Sequence, residues 1–225
     1  MLAAAALLGW TVLSRPAEPQ RPIGLFTSLP ILWGEADQLR ELLKQDRAPH
    51  RVKAALAALG PVKPLDTLEG LGPDLKRLVI AQPRPLSPAE NVALDAWVRG
   101  GGQLLLVADP LLTEHSAYAL GDPRRPQDVV LLSPILSRWG LELTFDDRQP
   151  AGLRTVAELP VDLPGRWQTT SPDCRLAAEA LLAECRVGQG RVLALADAEI
   201  LAADDADGLR EPALGRLLRT AFAPR

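Results

Sequence analysis

Two aspartates stand where an open sheet does its chemistry. Asp109 ends the apolar run QLLLVA (103–108), Asp197 ends RVLALA (191–196), and Glu199 lies two residues further on. Uninterrupted apolar runs of this kind are strands buried on both faces of a parallel sheet. Such sheets bind ligands just outside the carboxyl ends of their strands. The same rule brings forward Thr27, which ends the run IGLFT (23–27), and Ser28, Trp33 and Glu35, which follow it. Carboxylates at adjacent strand ends suit a cation or a sugar hydroxyl. The competing reading makes each strand-terminal aspartate a cap for the next turn or helix.

Other chemistries lack their residues. A nucleophilic cysteine needs a lowered pKa and a histidine within reach, usually at a strand-to-helix elbow, and neither Cys174 nor Cys185 follows a strand into a helix. There is no G-x-S-x-G elbow, no P-loop, and no H-x-x-x-H or C-x-x-C zinc spacing. Gly100-Gly101-Gly102 lies after a helix and before a strand, the reverse of a dinucleotide fingerprint, and reads as a helix stop. His50 is expected on a helix and His115 in a loop, both in solvent. No cofactor and no metal is implied.

The segment CRLAAEALLAEC (174–185) supports two structures. Its alanines, leucines and glutamates favour helix, which would hold the two sulfurs about 16 Å apart and unpaired. A hairpin turning at Glu179-Ala180 would instead set Cys174 opposite Cys185, Arg175 opposite Glu184 and Leu176 opposite Ala183. A disulfide then follows if the chain works outside the cytoplasm; two buried thiols are the alternative.

The elements that must position these residues read as an α/β alternation. Strands are expected at 23–27, 62–65 and 77–81, and helices at 35–46 and 51–59. The clearest helix starts at Pro88, where Ser87 and Glu90 form a capping box, and stops at the three glycines. RLVIA, this helix and QLLLVA therefore make a right-handed βαβ unit. Residues 111–127 read as an irregular excursion, 133–139 as a helix capped by Gly140, 141–145 as a strand, and 208–222 as a closing helix. Residues 151–172, with three prolines, give no assignment.

The apolar run MLAAAALLGWTVL is shorter than the roughly 20 residues that span a bilayer. It reads as a membrane anchor over 1–14, with a signal peptide or a core helix as alternatives. A proline-rich linker (15–22) and a single α/β domain (23–225) follow. With 25 Lys and Arg against 28 Asp and Glu, the chain carries a net charge of -3. It has no cationic excess to displace phosphate counterions, so no nucleic-acid partner is expected.

The stretch RLVIAQPRPLSPAENVALDAWVRGGGQLLLVADPLL resembles the auxiliary proteins of ABC-type uncharacterised transport systems, the GldG-like family. Leu86-Ser87-Pro88, Ala93-Leu94-Asp95, Gly101-Gly102 and Asp109-Pro110 carry the likeness. Pro134-Ile135-Leu136, Trp139-Gly140-Leu141 and GRVLALADAEIL extend it to nearly the whole of 23–222. The resemblance implies a flavodoxin-like, Rossmannoid fold related to class I glutamine amidotransferases: a mostly parallel sheet, helices on both faces and a C-terminal hairpin. It implies a membrane-anchored domain facing the periplasm or cell exterior, partnered by an ABC permease and a separate ATPase subunit. The elbow cysteine and histidine of those amidotransferases have no counterparts at matching positions. The expected function is therefore non-enzymatic, by protein or glycan binding. A degenerate hydrolase using Asp109 and Asp197, or a soluble ligand-binding module, is the alternative.

Overall fold

The computed structural model describes residues 21–33 and 50–223. The N-terminal anchor, the expected helix over 35–46 and the candidate Glu35 lie outside the described residues. Among the described residues, no helix is long and apolar enough to cross a membrane.

The strands are β1 (Ile23–Thr27), β2 (Val62–Pro64), β3 (Arg77–Ala81), β4 (Gln103–Val107) and β5 (Leu141–Thr144), then β6 (Arg154–Val156), β7 (Leu159–Val161) and β8 (Arg166–Thr169), then β9 (Cys174–Ala177), β10 (Leu182–Val187) and β11 (Gly190–Leu195). The helices are α1 (Arg51–Ala57), α2 (Pro88–Arg99), α3 (Ser133–Arg138) and α4 (Arg210–Ala221), with a 3-10 turn at Glu199–Leu201. The central sheet has seven strands in the order β2-β1-β3-β4-β11-β10-β9. Its first five run parallel, β10 pairs antiparallel with β11, and β9 pairs antiparallel with β10. Counted along the chain, the parallel strands stand in the doubly wound order 2-1-3-4-5, which places a topological switch point between β1 and β3.

Side chains alternate across each strand, and those of β1, β3, β4 and β11 are buried on both faces. Ile23, Leu25, Val79, Leu105 and Leu193 pack with α1 and α4. Phe26, Leu78, Ile80, Leu104 and Val192 pack with α2, α3, Trp139 and Trp167. The helix α2 starts as its sequence dictates. Ser87 accepts the Glu90 backbone N–H while the Glu90 carboxylate accepts that of Ser87, and Pro88 occupies the first turn. Asp95 ties α2 to α3 by accepting from Arg99, Arg138 and the Trp139 indole. At the opposite end, a Cβ on Gly190 would run into the Val98 carbonyl, so only glycine lets β11 start against α2.

The segment 174–185 is extended, not helical. β9 and β10 pair with Arg175 opposite Glu184 and Cys185 opposite Cys174, and the two cysteines form a disulfide. The chain turns through Ala178, Glu179 and Ala180, all at positive φ.

Residues 151–172, without an assignment from sequence, hold β8 and the β6–β7 hairpin. The strand β8 pairs with β5 in a small second sheet. His50 departs from expectation: it precedes α1 as its N-cap, half-buried, its Nδ1 accepting the Val52 N–H. Burial, and then the charge of Arg51, lower its pKa.

Candidate functional site

The site is built on Gln82, the residue after β3. Its side chain is completely buried and its backbone has φ 41°, a left-handed conformation that costs a non-glycine residue energy. The surrounding bonds hold it there. The Gln82 backbone N–H donates to the Val107 carbonyl, and its carbonyl accepts from both the N–H and the hydroxyl of Ser28. Its amide Nε2 donates to the carbonyls of Asp109 (3.1 Å) and Gln127 (2.8 Å), while Oε1 accepts the Asp109 N–H (2.9 Å). One side chain thus joins the ends of β3 and β4 to the 111–127 excursion. Ser28 completes the knot by accepting the Gln127 N–H.

Asp109 and Asp197 come together as the strand order requires, β4 and β11 being neighbours. Both are buried, and each uses both oxygens on backbone N–H groups. Asp109 accepts from Leu111 (2.8 Å) and Ala198 (3.0 Å). Asp197 accepts from Glu199 (2.7 Å) and Asp162 (3.1 Å). The two carboxylates therefore cap the turns after their strands and stitch β4, β11 and the loop after β7. Burial raises the Asp109 pKa to about 6, more than its two backbone N–H donors lower it. Burial, with the charge of Asp109 beside it, raises that of Asp197 well above the usual carboxylate range. Glu199 turns away to pair with Arg210. Among the described residues, no group of three or more His, Cys, Asp or Glu is placed to hold a metal ion.

Thr27, Ser28 and Trp33 meet elsewhere, at the switch point itself. They line a cleft of 610 Å³ with Asp66, Arg84, Tyr118, Arg124 and Arg125. Neither Asp109 nor Asp197 is among its lining residues. Trp33 is 74% exposed, while Trp167 is buried in the core. The site residues missed from sequence are Gln82 and the arginines. The strand-end rule applied to β1, β4 and β11 points equally to the residues after β3, Gln82 and Arg84, and would have found them. Arg124 and Arg125 sit in the turn-rich excursion, where two adjacent arginines were the only signal.

No family model matches the chain, and no curated protein matches it in sequence. Solved structures do resemble it. The exo-β-1,4-mannosidase Op5Man5 from Opitutaceae bacterium strain TAV5 is 15% identical, with a TM-score of 0.50 over 91% of this chain and 36% of that one. A cold-adapted β-galactosidase from Rahnella sp. R3 is 13% identical, with a TM-score of 0.48 over 92% of this chain and 32% of that one. A ThuA-like protein from Bacteroides uniformis ATCC 8492 is 10% identical, with a TM-score of 0.44 over 95% and 94%. The chain thus spans about a third of the length of the two glycosidases. The likeness to the mannosidase is one of fold.

Proposed function

We propose that this chain is a non-enzymatic, membrane-tethered extracytoplasmic auxiliary component of an ABC-type transport system, built on a flavodoxin-like domain that binds protein or glycan at the carboxyl edge of its sheet. Its partners on this reading are an ABC permease and a separate ATPase subunit.

Gln82 carries the reading. A nucleophile elbow is a strained turn leading from a strand toward a helix, with its reactive side chain exposed above the sheet. Here a strained turn of that kind follows β3 and leads to α2, but it holds an amide, turned inward and spent on three hydrogen bonds. An amide is no nucleophile at neutral pH, and this one is out of a substrate's reach. The Cys174–Cys185 disulfide supports a location outside the reducing cytoplasm. The resemblance of residues 77–112 to GldG-like proteins supports the transport setting.

The test is co-purification of the tagged, detergent-extracted full chain with the permease and ATPase subunit of its own system. Stoichiometric recovery of both is expected, with release of the domain to the soluble fraction when residues 1–14 are deleted. Recovery of neither subunit would refute the proposal.

One observation favours the alternative of a degenerate hydrolase: two buried carboxylates with raised pKa values at adjacent strand ends, a pattern also seen in acid–base sites. Asp109→Asn and Asp197→Asn separate the readings. An auxiliary binding domain that still folds keeps its transporter association in both variants, whereas a hydrolase loses turnover.

A further inference from the structure

We infer that the outer edge of β5 is a dimerisation surface, on which a second copy of this chain pairs its own β5 antiparallel about a two-fold axis through Leu143. The small second sheet holds β5 and β8 alone. Its register sets Leu141 opposite Thr169, Glu142 opposite Gln168, Leu143 opposite Trp167 and Thr144 opposite Arg166, and the Thr170 N–H donates to the Gly140 carbonyl. Antiparallel strands alternate residues that exchange both backbone bonds with residues that exchange none. Gly140, Glu142 and Thr144 therefore bond toward β8, and the N–H and C=O groups of Leu141 and Leu143 point away from it. Among the described residues those groups have no hydrogen-bond partner. The far side of the ribbon is already engaged, the Trp167 N–H donating to the Ala180 carbonyl. One open edge remains, and an open edge is a template for an extended strand.

The edge also has room and apolar surface beside it. A groove of 710 Å³ runs along it, lined by Val129, Leu132, Leu136, Leu141, Leu143 and Phe145 among others. Val129 and Phe145 are 47% and 38% exposed. The run LELTF (141–145) identifies the occupant as its own copy. With the two-fold through Leu143, that residue meets itself and exchanges both bonds. Leu141 then lies opposite Phe145 of the other copy, and Glu142 opposite its Thr144. A two-fold through Glu142 would set two carboxylates face to face, and one through Thr144 would set Glu142 opposite Asp146. The Leu143 register avoids both clashes. Across the joined outer face it orders Gln168 and Glu142 of one copy beside Thr144 and Arg166 of the other, so only a small threonine separates an acid from a base. Each β5 has a single free edge, so the assembly closes at two copies.

Sedimentation equilibrium of the full 225-residue chain, from about 1 to 300 μM, should show monomer and dimer exchanging with a Kd on the order of 10 μM. Glu142 is exposed, so Glu142→Arg should leave the melting temperature in place. Facing Arg166 of the other copy across Thr144, it should weaken the dimer by about tenfold or more. Cross-linking reads the register directly, because residues opposite each other between bonded pairs stand within disulfide reach. An oxidised mixture of Glu142→Cys and Thr144→Cys chains should therefore join about tenfold faster than either variant alone. A monomer across the whole range, growth past the dimer, a dimer that Glu142→Arg leaves intact, or a mixture that cross-links no faster than the single variants would each overturn the inference.

Discussion

Gln82 combines an unfavourable backbone conformation with complete burial, and its amide repays both through three hydrogen bonds. Gln82→Leu keeps the volume but leaves the N–H and carbonyl of Asp109 and the carbonyl of Gln127 without that partner. A loss of about 3 kcal/mol is expected, read as a lower denaturant midpoint at unchanged slope. The neighbouring acids predict a pH effect. The folded-state pKa of Asp109 is raised from 3.8 to about 6, so the protonated form is favoured in the native protein. The associated stability is complete below the unfolded pKa of 3.8 and is lost as pH rises through about 6. Asp197, raised in the same direction, adds to that slope. Denaturant titrations across this window should show it, and Asp109→Asn should flatten it. At this scale the sequence was half legible. Strand-end placement singled out Asp109 and Asp197, but whether they face a ligand or a row of backbone N–H groups depends on loops from distant parts of the chain. Asp162, a donor to Asp197, lies 35 residues away.

The helix α2 shows what makes an element readable. Its start is written in Ser87, Pro88 and Glu90 and its end in three glycines, all local signals, and both ends lie where the pattern puts them. Ser87→Ala should cost about 1 kcal/mol in thermal or chemical unfolding. Glu90→Ala should cost more, about 3 kcal/mol, because the same carboxylate also holds Arg84 and the Leu68 N–H. The Arg84 guanidinium, with backbone N–H groups of Ser87 and Leu68, lowers the Glu90 pKa from 4.5 to about 2. Its contribution is therefore present above 4.5 and fades as pH falls toward 2, opposite in sense to the aspartate pair. The β6–β7 hairpin shows the reverse case. Its strands are three residues long, Pro160 interrupts one of them, and Ala157 and Glu158 make the turn at positive φ without the usual Asn-Gly signal. Only pairing and packing define it. The 174–185 segment was ambiguous because helix propensity competed with tertiary pairing, and the cross-strand partners prevailed.

For the molecule as a whole, a parallel sheet buried on both faces was legible in the apolar runs of β1, β3, β4 and β11, whereas the strand order and the strands within residues 151–172 were not. The cross-link that closes the far side of the sheet was legible only as one of two possibilities. Replacing both Cys174 and Cys185 with alanine should destabilise the domain by about 3 kcal/mol, the entropy of closing so short a loop. Melting with and without reductant checks this: the native chain should fall to the variant's midpoint under reduction, and the variant should not respond. The two margins of the sheet also share a property. On one side β2 has three residues and ends in Pro64, which has no N–H to offer; on the other, β9 has four and is pinned to β10 by its disulfide. Short, interrupted borders of this kind are poor templates for a foreign strand. Copies of this domain at high concentration should therefore stay separate along this sheet instead of zipping into fibrils through its margins.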